Sequence, residues 1–199
     1  MSKAVVARVF DQAAAATPDS DSALMERVGA GEAAACRTLV ESHLGRCVGL
    51  AYRLLGDPVE AEDVAQDAFL RLWRLAAGWQ PRARLTTWLH RVTYNLCMDR
   101  HRARRRRSSA QPPEPESDGS PSATLQRNQV ARVVGDALNA LPRRQRAAIA
   151  LVYRRELSNI EAAEVMGISV DAVESLLARG RQGLRKQLSA LRLDLMGEP

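Results

Sequence analysis

Residues 82–107 hold nine arginines and a single acid, Asp99. Trp88 and Tyr94 interleave with them, and Trp79 and Gln80 stand just before them. Guanidinium groups at this density attract phosphates in a salt-dependent way without choosing a sequence. Flat rings among them add surfaces on which unstacked bases can lie. The amides of Gln80 and Asn95 can read a base edge. The chemistry on offer is recognition of a polyanion. A helix here would present Thr87, Arg91, Tyr94 and Arg102 on one side, with Trp88 and Asn95 at its margin and Arg84 in the preceding loop. For Trp88, core packing is an equally good account.

Covalent chemistry finds no footing. No Ser/His/Asp arrangement, Walker loop or carboxylate cluster at metal-ligand spacing stands out. The expectation is a protein that is not an enzyme, has no small-molecule substrate, and needs no cofactor or metal. Cys36, Cys47 and Cys97 are odd in number and lack a CxxC, so reduced, mostly buried thiols are expected. His43 and Cys47 share a helix face, but a metal needs two further ligands.

A second chemistry lies in "GDPVEAEDVAQDAFLRLW", Gly56 to Trp73, where five acids precede the first basic residue, Arg71. Asp57 is a cap, Pro58 suits the first helical position, Glu60 completes a capping-box spacing, and Gly78 is a stop. Ala61, Val64, Ala65, Ala68, Phe69, Leu72, Trp73 and Ala76 form an apolar stripe of period 3.6. Asp63, Gln66, Asp67 and Leu70 fall on the opposite face. A leucine among acids, where water is expected, reads as a docking patch for a basic partner protein.

A third pattern occupies "ELSNIEAAEVMGISVDAVESLLARGRQGLRKQL". Ser158 caps a short helix containing Ile160, Ala163 and Val165, Gly167 turns the chain, and Ser169 caps a second helix. That helix should bury Val173, Leu177, Leu184 and Leu188, with Gly180 at a close helix approach. Its first turns would enter a major groove and bring Ser169, Asp171, Ala172, Glu174 and Ser175 near base edges. Arg179, Arg181 and Arg185 would reach phosphates.

The elements that must position these groups are helical. Residues 1–81 carry a net charge of −3, residues 82–107 of +8, residues 108–142 of −2 and residues 143–187 of +4. Two separated basic blocks imply two contacts with a polyanion. "SSAQPPEPESDGSPSA", Ser108 to Ala123, has linker composition. Strand-like alternation is absent, so the expected class is all-α. Two small helical domains, 20–107 and 124–194, flank a flexible linker, 108–123. Residues 1–19 form a loose tail. Helices are expected over Ser22–Gly29 and Glu32–Leu55 ahead of the acidic one. No apolar run approaches the roughly 20 residues of a membrane span, and "MSKAVVARVF" lacks a signal-peptide pattern. The expected location is the cytoplasm.

Taken together, "LAYRLLGDPVEAEDVAQDAFLRLW", "TTWLHRVTYNLCMDRHR" and "ALPRRQRAAIALVYRRELSNIEAAEVMGISVDAVESLLARGRQGLR" resemble the bacterial extracytoplasmic-function (ECF) sigma factors in order and spacing. The resemblance implies that the acidic helix belongs to region 2 and docks on the β′ clamp of core RNA polymerase through Asp63, Gln66, Asp67 and Leu70. It implies that Trp79–Arg84 and the helix from Thr86 melt the -10 promoter element and hold a flipped-out base. Residues 124–194 would be region 4, reading the -35 element and meeting the β flap. The linker would pass near the active-site cleft, with Glu114, Glu116 and Asp118 in nucleic-acid channels. An anti-sigma factor would cover the polymerase-binding surfaces and respond to stress.

Glu174 and Leu176 depart from the family's usual Lys and Arg, which should alter or weaken -35 readout. Asn159-Ile160 replaces a commoner Tyr-containing opening. The competing function is a stand-alone helix-turn-helix regulator that finds DNA without polymerase. Its need for two-fold symmetry and the acidic Leu70 patch weigh against it.

Overall fold

The computed structural model describes residues 18–80, 84–108, 134–153 and 157–196. Every regular element among them is a helix. The described chain divides into two compact units, with the boundary inside the fourth helix between Cys97 and Met98. The tail through Thr17, loop positions 81–83 and residues 109–133, including most of the expected linker, lie outside the described residues.

The first unit opens with α1 (Pro18–Gly29) and α2 (Ala33–Leu55). Gly31, at φ 84°, makes the turn between them, a left-handed geometry that suits glycine. Arg27 Nε donates to Glu32 Oε2 across that turn at 2.7 Å. This bond raises the Arg27 pKa, and it lowers that of Glu32. Gly56 ends α2 at φ 78°, its N–H bonded to the Tyr52 carbonyl. Asp57 then caps α3 (Pro58–Ala76), accepting from the Val59 and Glu60 amides at 2.8 and 3.0 Å. The helix closes with Gly78 N–H on the Leu75 carbonyl, and Gly78 is not left-handed. The expected glycine stop is therefore a tightened last turn. α4 (Leu85–Ser108) runs on to the first residue of the expected linker.

α1 packs on α2 and α3, and α2 on α3. Their shared core holds Met25, Leu39, Cys47, Phe69 and Leu72, joined by Leu85 and Leu89 of α4. Cys97 is also buried, and Cys36 is half-buried. Asp21 and His43 are buried, with His43 Nε2 3.0 Å from Asp21 Oδ1. His43 thus tethers α1 to α2. Among the described residues no three His, Cys, Asp or Glu side chains are placed to hold a metal ion. No described helix is long and apolar enough to cross a membrane.

The second unit contains the end of α4 from Met98, helical residues 134–139, α5 (Arg143–Val152), α6 (Asn159–Met166) as far as Ala163, and α7 (Val170–Met196). α5 packs on α7, and Gly180 is where they meet. A Cβ there would lie 2.6 Å from Ile149 Cδ1. Ala147, Ala148, Leu151 and Val173 are buried. Leu177 and Leu184 are only half-buried and Leu188 is exposed. The expected buried stripe of α7 therefore fades along the helix, which extends beyond the element it packs on.

Candidate protein- and nucleic-acid-binding faces

On α3 the structure brings the predicted docking residues together. Asp63 and Gln66 are exposed, Asp67 is half-buried, and Leu70 is 44% exposed. Trp73 corrects the sequence reading, because it is 39% exposed and stands outside the buried stripe. Its ring lies 6.3 Å from that of Phe69 at a tilt of 50°. One side of the indole rests on the core, and the rest meets solvent. Val59 is more exposed still, at 68%. At about 100° per residue, Val59, Asp63, Gln66, Leu70 and Trp73 fall within about 80° of one another. The outer face of α3 is therefore an apolar ridge with acids along it. Counting Trp73 as core hid its share, although its i+3 spacing from Leu70 was the available signal.

On α4 the predicted DNA-facing residues separate into three groups. Arg84, Arg91, Asn95 and Arg102 are exposed, as is Gln80 ahead of the helix. The Arg84 carbonyl accepts from the Trp88 amide at 3.1 Å, so Arg84 stands at the helix start. Arg84, Trp88, Arg91, Asn95 and Arg102 share one line within about 60°. Trp79 and Trp88 form the second group. Both are half-buried against the core, ring centroids 5.7 Å apart and nearly perpendicular at 86°. Trp88 packs against the core, and it also sits on the arginine line. Thr87 and Tyr94 form the third group and are corrections, being buried at 3% and 8% exposure. Seven residues apart, they lie some 60–80° to one side of the line, on the flank that turns inward. Val92 is half-buried. Arg102 is bonded to Asp99 one turn before it, which tempers its charge.

The helix-turn-helix geometry is built as its residues suggest. Ser158 and Glu161 make a reciprocal cap: the Ser158 amide and hydroxyl donate to Glu161 Oε2 at 2.8 and 2.9 Å, and the Glu161 amide donates to Ser158 Oγ at 3.2 Å. Gly167 turns at φ 63°, and the Ile168 amide reaches back to the Ala163 carbonyl. Ser169 Oγ accepts from the Ala172 amide at 3.2 Å. Ser169, Asp171, Glu174, Arg179 and Arg181 are exposed, and Ala172 and Ser175 are half-buried. Ile160, placed by sequence within the first helix of the pair, is 71% exposed.

The chain matches the family Sigma-70 region 2 over residues 39–107 and Sigma-70, region 4 over residues 131–184. It is 30% identical over 186 residues to the ECF RNA polymerase sigma factor SigW of Bacillus subtilis (strain 168), covering 84% of this chain and 96% of that one. The chain belongs to the ECF RNA polymerase sigma factors. It is also 36% identical over 156 residues to the ECF RNA polymerase sigma factor SigE of Mycolicibacterium smegmatis (strain ATCC 700084 / mc(2)155), matching 76% of this chain and 60% of that protein's length. Among solved structures it resembles CnrH in complex with the cytosolic domain of CnrY. The TM-score is 0.65 at 29% identity, covering 86% of this chain and 99% of that one.

The acidic face of α3 and the Arg84, Arg91 and Asn95 part of the α4 line belong to one compact unit. Region 4 adds a feature that sequence reasoning passed over. A groove of about 550 Å³ is lined by Pro142, Arg143, Arg144, Ala172, Ser175 and Arg179, among others. Arg179 Nη2 donates to Ser175 Oγ at 2.6 Å. Arg146, which donates to Asn139 Oδ1 at 2.8 Å, has its pKa lowered by burial and then by the charge of Arg143. Guanidinium groups that repel one another at a helix start favour an anion beside them. The signal was the basic block at 143–187, of which only the α7 arginines had been assigned a role.

Proposed function

We propose that this sigma factor binds core RNA polymerase through the outer face of α3, against the β′ clamp, and directs promoter recognition and opening at two DNA elements. The observation that carries the reading is the pairing of two opposite faces on one core. Phe69 and Leu72 of α3 pack with Leu85 and Leu89 of α4. This leaves the ridge of Asp63, Gln66 and Leu70 on one helix and the line of Arg84, Arg91, Asn95 and Arg102 on the other. A protein that only bound DNA would gain nothing from the acidic ridge, because its charge repels phosphate.

The single-stranded -10 element lies along the arginine line, with Trp79, Gln80 and Trp88 at its start. Holding a flipped base costs a few kcal/mol of unstacking, and stacking on Trp88 with charge contacts offsets it. The first turns of α7, from Ser169 through Asp171, Ala172, Glu174 and Ser175, read duplex at the -35 element. Arg179 and Arg181 hold its phosphates, and this half also meets the β flap. Residues 20–107 and 124–194 are then the two working domains. CnrH is solved with the cytosolic domain of a second protein bound. By the same logic an anti-sigma factor covers the ridge and holds this chain inactive. The chain performs no chemistry of its own and works in the cytoplasm beside polymerase.

The test is binding to bacterial core polymerase, comparing the wild type with an Asp63→Arg/Leu70→Ala variant. Reversing a charge that meets a basic partner costs about 2–5 kcal/mol, so affinity should fall at least about thirtyfold with helical content unchanged. Equal binding by the variant would remove α3 as the docking face. Absence of wild-type binding, with the free chain still selecting DNA, would favour the stand-alone regulator.

A further inference from the structure

Glu174 stands one turn into α7, exposed, where a carboxylate among DNA phosphates is costly unless it gains a donor. Its position is held from outside its own helix. Asn159 Nδ2, at the start of α6, donates to Glu174 Oε1 at 3.3 Å. An ionised carboxylate only accepts, so the amide must present its NH₂ group. The second oxygen, Oε2, has no protein partner among the described residues, and Glu174 makes no ion pair among them. A long side chain with one oxygen fixed has already lost part of the rotamer freedom that binding would otherwise remove. Asn159 is half-buried, so it is a firmer anchor than a side chain held only by water.

We infer that Glu174, oriented by Asn159, is a specificity determinant that selects cytosine at one position of the upstream duplex element. The inference rests on the proposal that α7 reads the -35 element. In the major groove, cytosine offers its N4 amino group as a donor. Guanine offers acceptors at O6 and N7, and thymine offers O4, and all of these repel a carboxylate. Adenine has a donor at N6, but its N7 acceptor lies beside it. Cytosine alone presents a donor with no acceptor on its own major-groove edge, the neighbouring O6 belonging to the paired guanine. The choice therefore comes from repulsion of the wrong bases as much as attraction to the right one. Arg179 and Arg181 on the same helix are exposed and supply the phosphate attraction that a carboxylate cannot. The Asn159–Glu174 bond joins two positions that both differ from the family's usual residues.

The experiment selects promoters with the full chain on core polymerase, from a library randomised across both the upstream duplex and the -10 element. Wild type, Glu174→Gln and Asn159→Ala are compared. Wild type should enrich cytosine over guanine at one upstream position by at least about fivefold. Glu174→Gln should move that preference to adenine, whose N6 and N7 pair with an amide. Asn159→Ala should weaken the cytosine preference without replacing it. The -10 preference should be the same in all three, which serves as the check that each variant folds and binds polymerase. An unchanged upstream preference in Glu174→Gln, with -10 selection intact, would overturn the inference and leave the sigma reading standing. An unchanged preference in Asn159→Ala would overturn the orienting role. No upstream selection by the wild type would overturn both the inference and the proposed -35 contact.

Discussion

The perpendicular pair of Trp79 and Trp88 should be energetically coupled, and that coupling should be visible in DNA binding. A fully buried tryptophan removes up to about 250 Å² from water. Each of these two is mostly but not fully buried, so about 160 Å² or more is at stake, worth about 4 kcal/mol. Edge-to-face contact at 5.7 Å and 86° adds about 0.5–1.5 kcal/mol that area does not count. Alanine at both sites would therefore remove about 9 kcal/mol, comparable with the whole stability of a small domain. Leucine is the better probe, because it restores most of the apolar contact and deletes the ring pair. Each single Trp→Leu variant should cost about 1–2 kcal/mol. The double variant should fall short of the sum by about 0.5–1.5 kcal/mol. Urea unfolding supplies the four numbers of the cycle. Titration with a single-stranded -10 oligonucleotide, followed by the fluorescence of the remaining indoles, supplies the link to function. Trp79→Leu should weaken binding even though Trp79 lies off the arginine line, because Trp88 then loses the ring that sets its angle. Additive costs within about 0.3 kcal/mol, or a Trp79→Leu variant that binds as wild type, would refute the reasoning.

Two further outcomes test the scaffold under these faces. Asp21→Ala leaves the buried His43 imidazole without its partner at Nε2, while Nδ1 has none among the described residues. The expected loss is about 1–3 kcal/mol, or about 4–8 °C in Tm per kcal/mol for a domain of this size, and a loss under about 0.5 kcal/mol would deny the tether. Gly29→Ala places a Cβ 2.9 Å from the Ala76 carbonyl oxygen, a backbone atom that cannot rotate aside. The overpacking cost of about 1–3 kcal/mol exceeds the helix-propensity gain of at most about 1 kcal/mol, so the urea midpoint should fall with an unchanged slope. A variant that stabilises would show that α1 does not approach α3 so closely.

What could be read from the residues alone follows from range. Caps and turns are local, so Asp57, the Ser158 cap and Gly167 were legible, and with them the helices and the helix-turn-helix. The interior side of α3 was legible too, because alanines and branched residues at period 3.6 leave little choice. The margins of each face were not. Trp73, Thr87 and Tyr94 all lie near the edge between inside and outside, where periodicity assigns either side and packing decides. Polar character misled at Thr87 and Tyr94, and apolar character misled at Trp73. Contacts between distant residues were out of reach. Asp21 and His43 are 22 residues apart, and Asn159 and Glu174 are 15 apart. Glu174 had registered as a residue near base edges and a lost positive charge, but not as one of a pair, because its partner lies on another helix.

The acidic helix in a basic chain is answered by distance as well as by partner. Coulomb attraction between α3 carboxylates and α4 guanidinium groups would hold each face to the other if nothing separated them. Both helices turn their apolar sides to one core through Phe69, Leu72, Leu85 and Leu89, so their charged faces point away from it. A helix with side chains is about 10–12 Å across, beyond the Debye length of about 8 Å at physiological ionic strength. Charges separated through solvent by more than that length are largely screened from each other, whereas a partner in direct contact feels a face in full. On the proposed reading, a basic protein surface would bind the ridge without competing with DNA on the arginine line, and DNA would approach without meeting Asp63. The arrangement weakens at low salt, where the Debye length reaches about 30 Å at 0.01 M and the acids begin to repel DNA. Charge-neutralising variants of Asp63 and Asp67 should thus raise the affinity for single-stranded -10 DNA at low salt and leave it unchanged near 0.15 M. An equal gain at both salt concentrations would place those acids beside the DNA path.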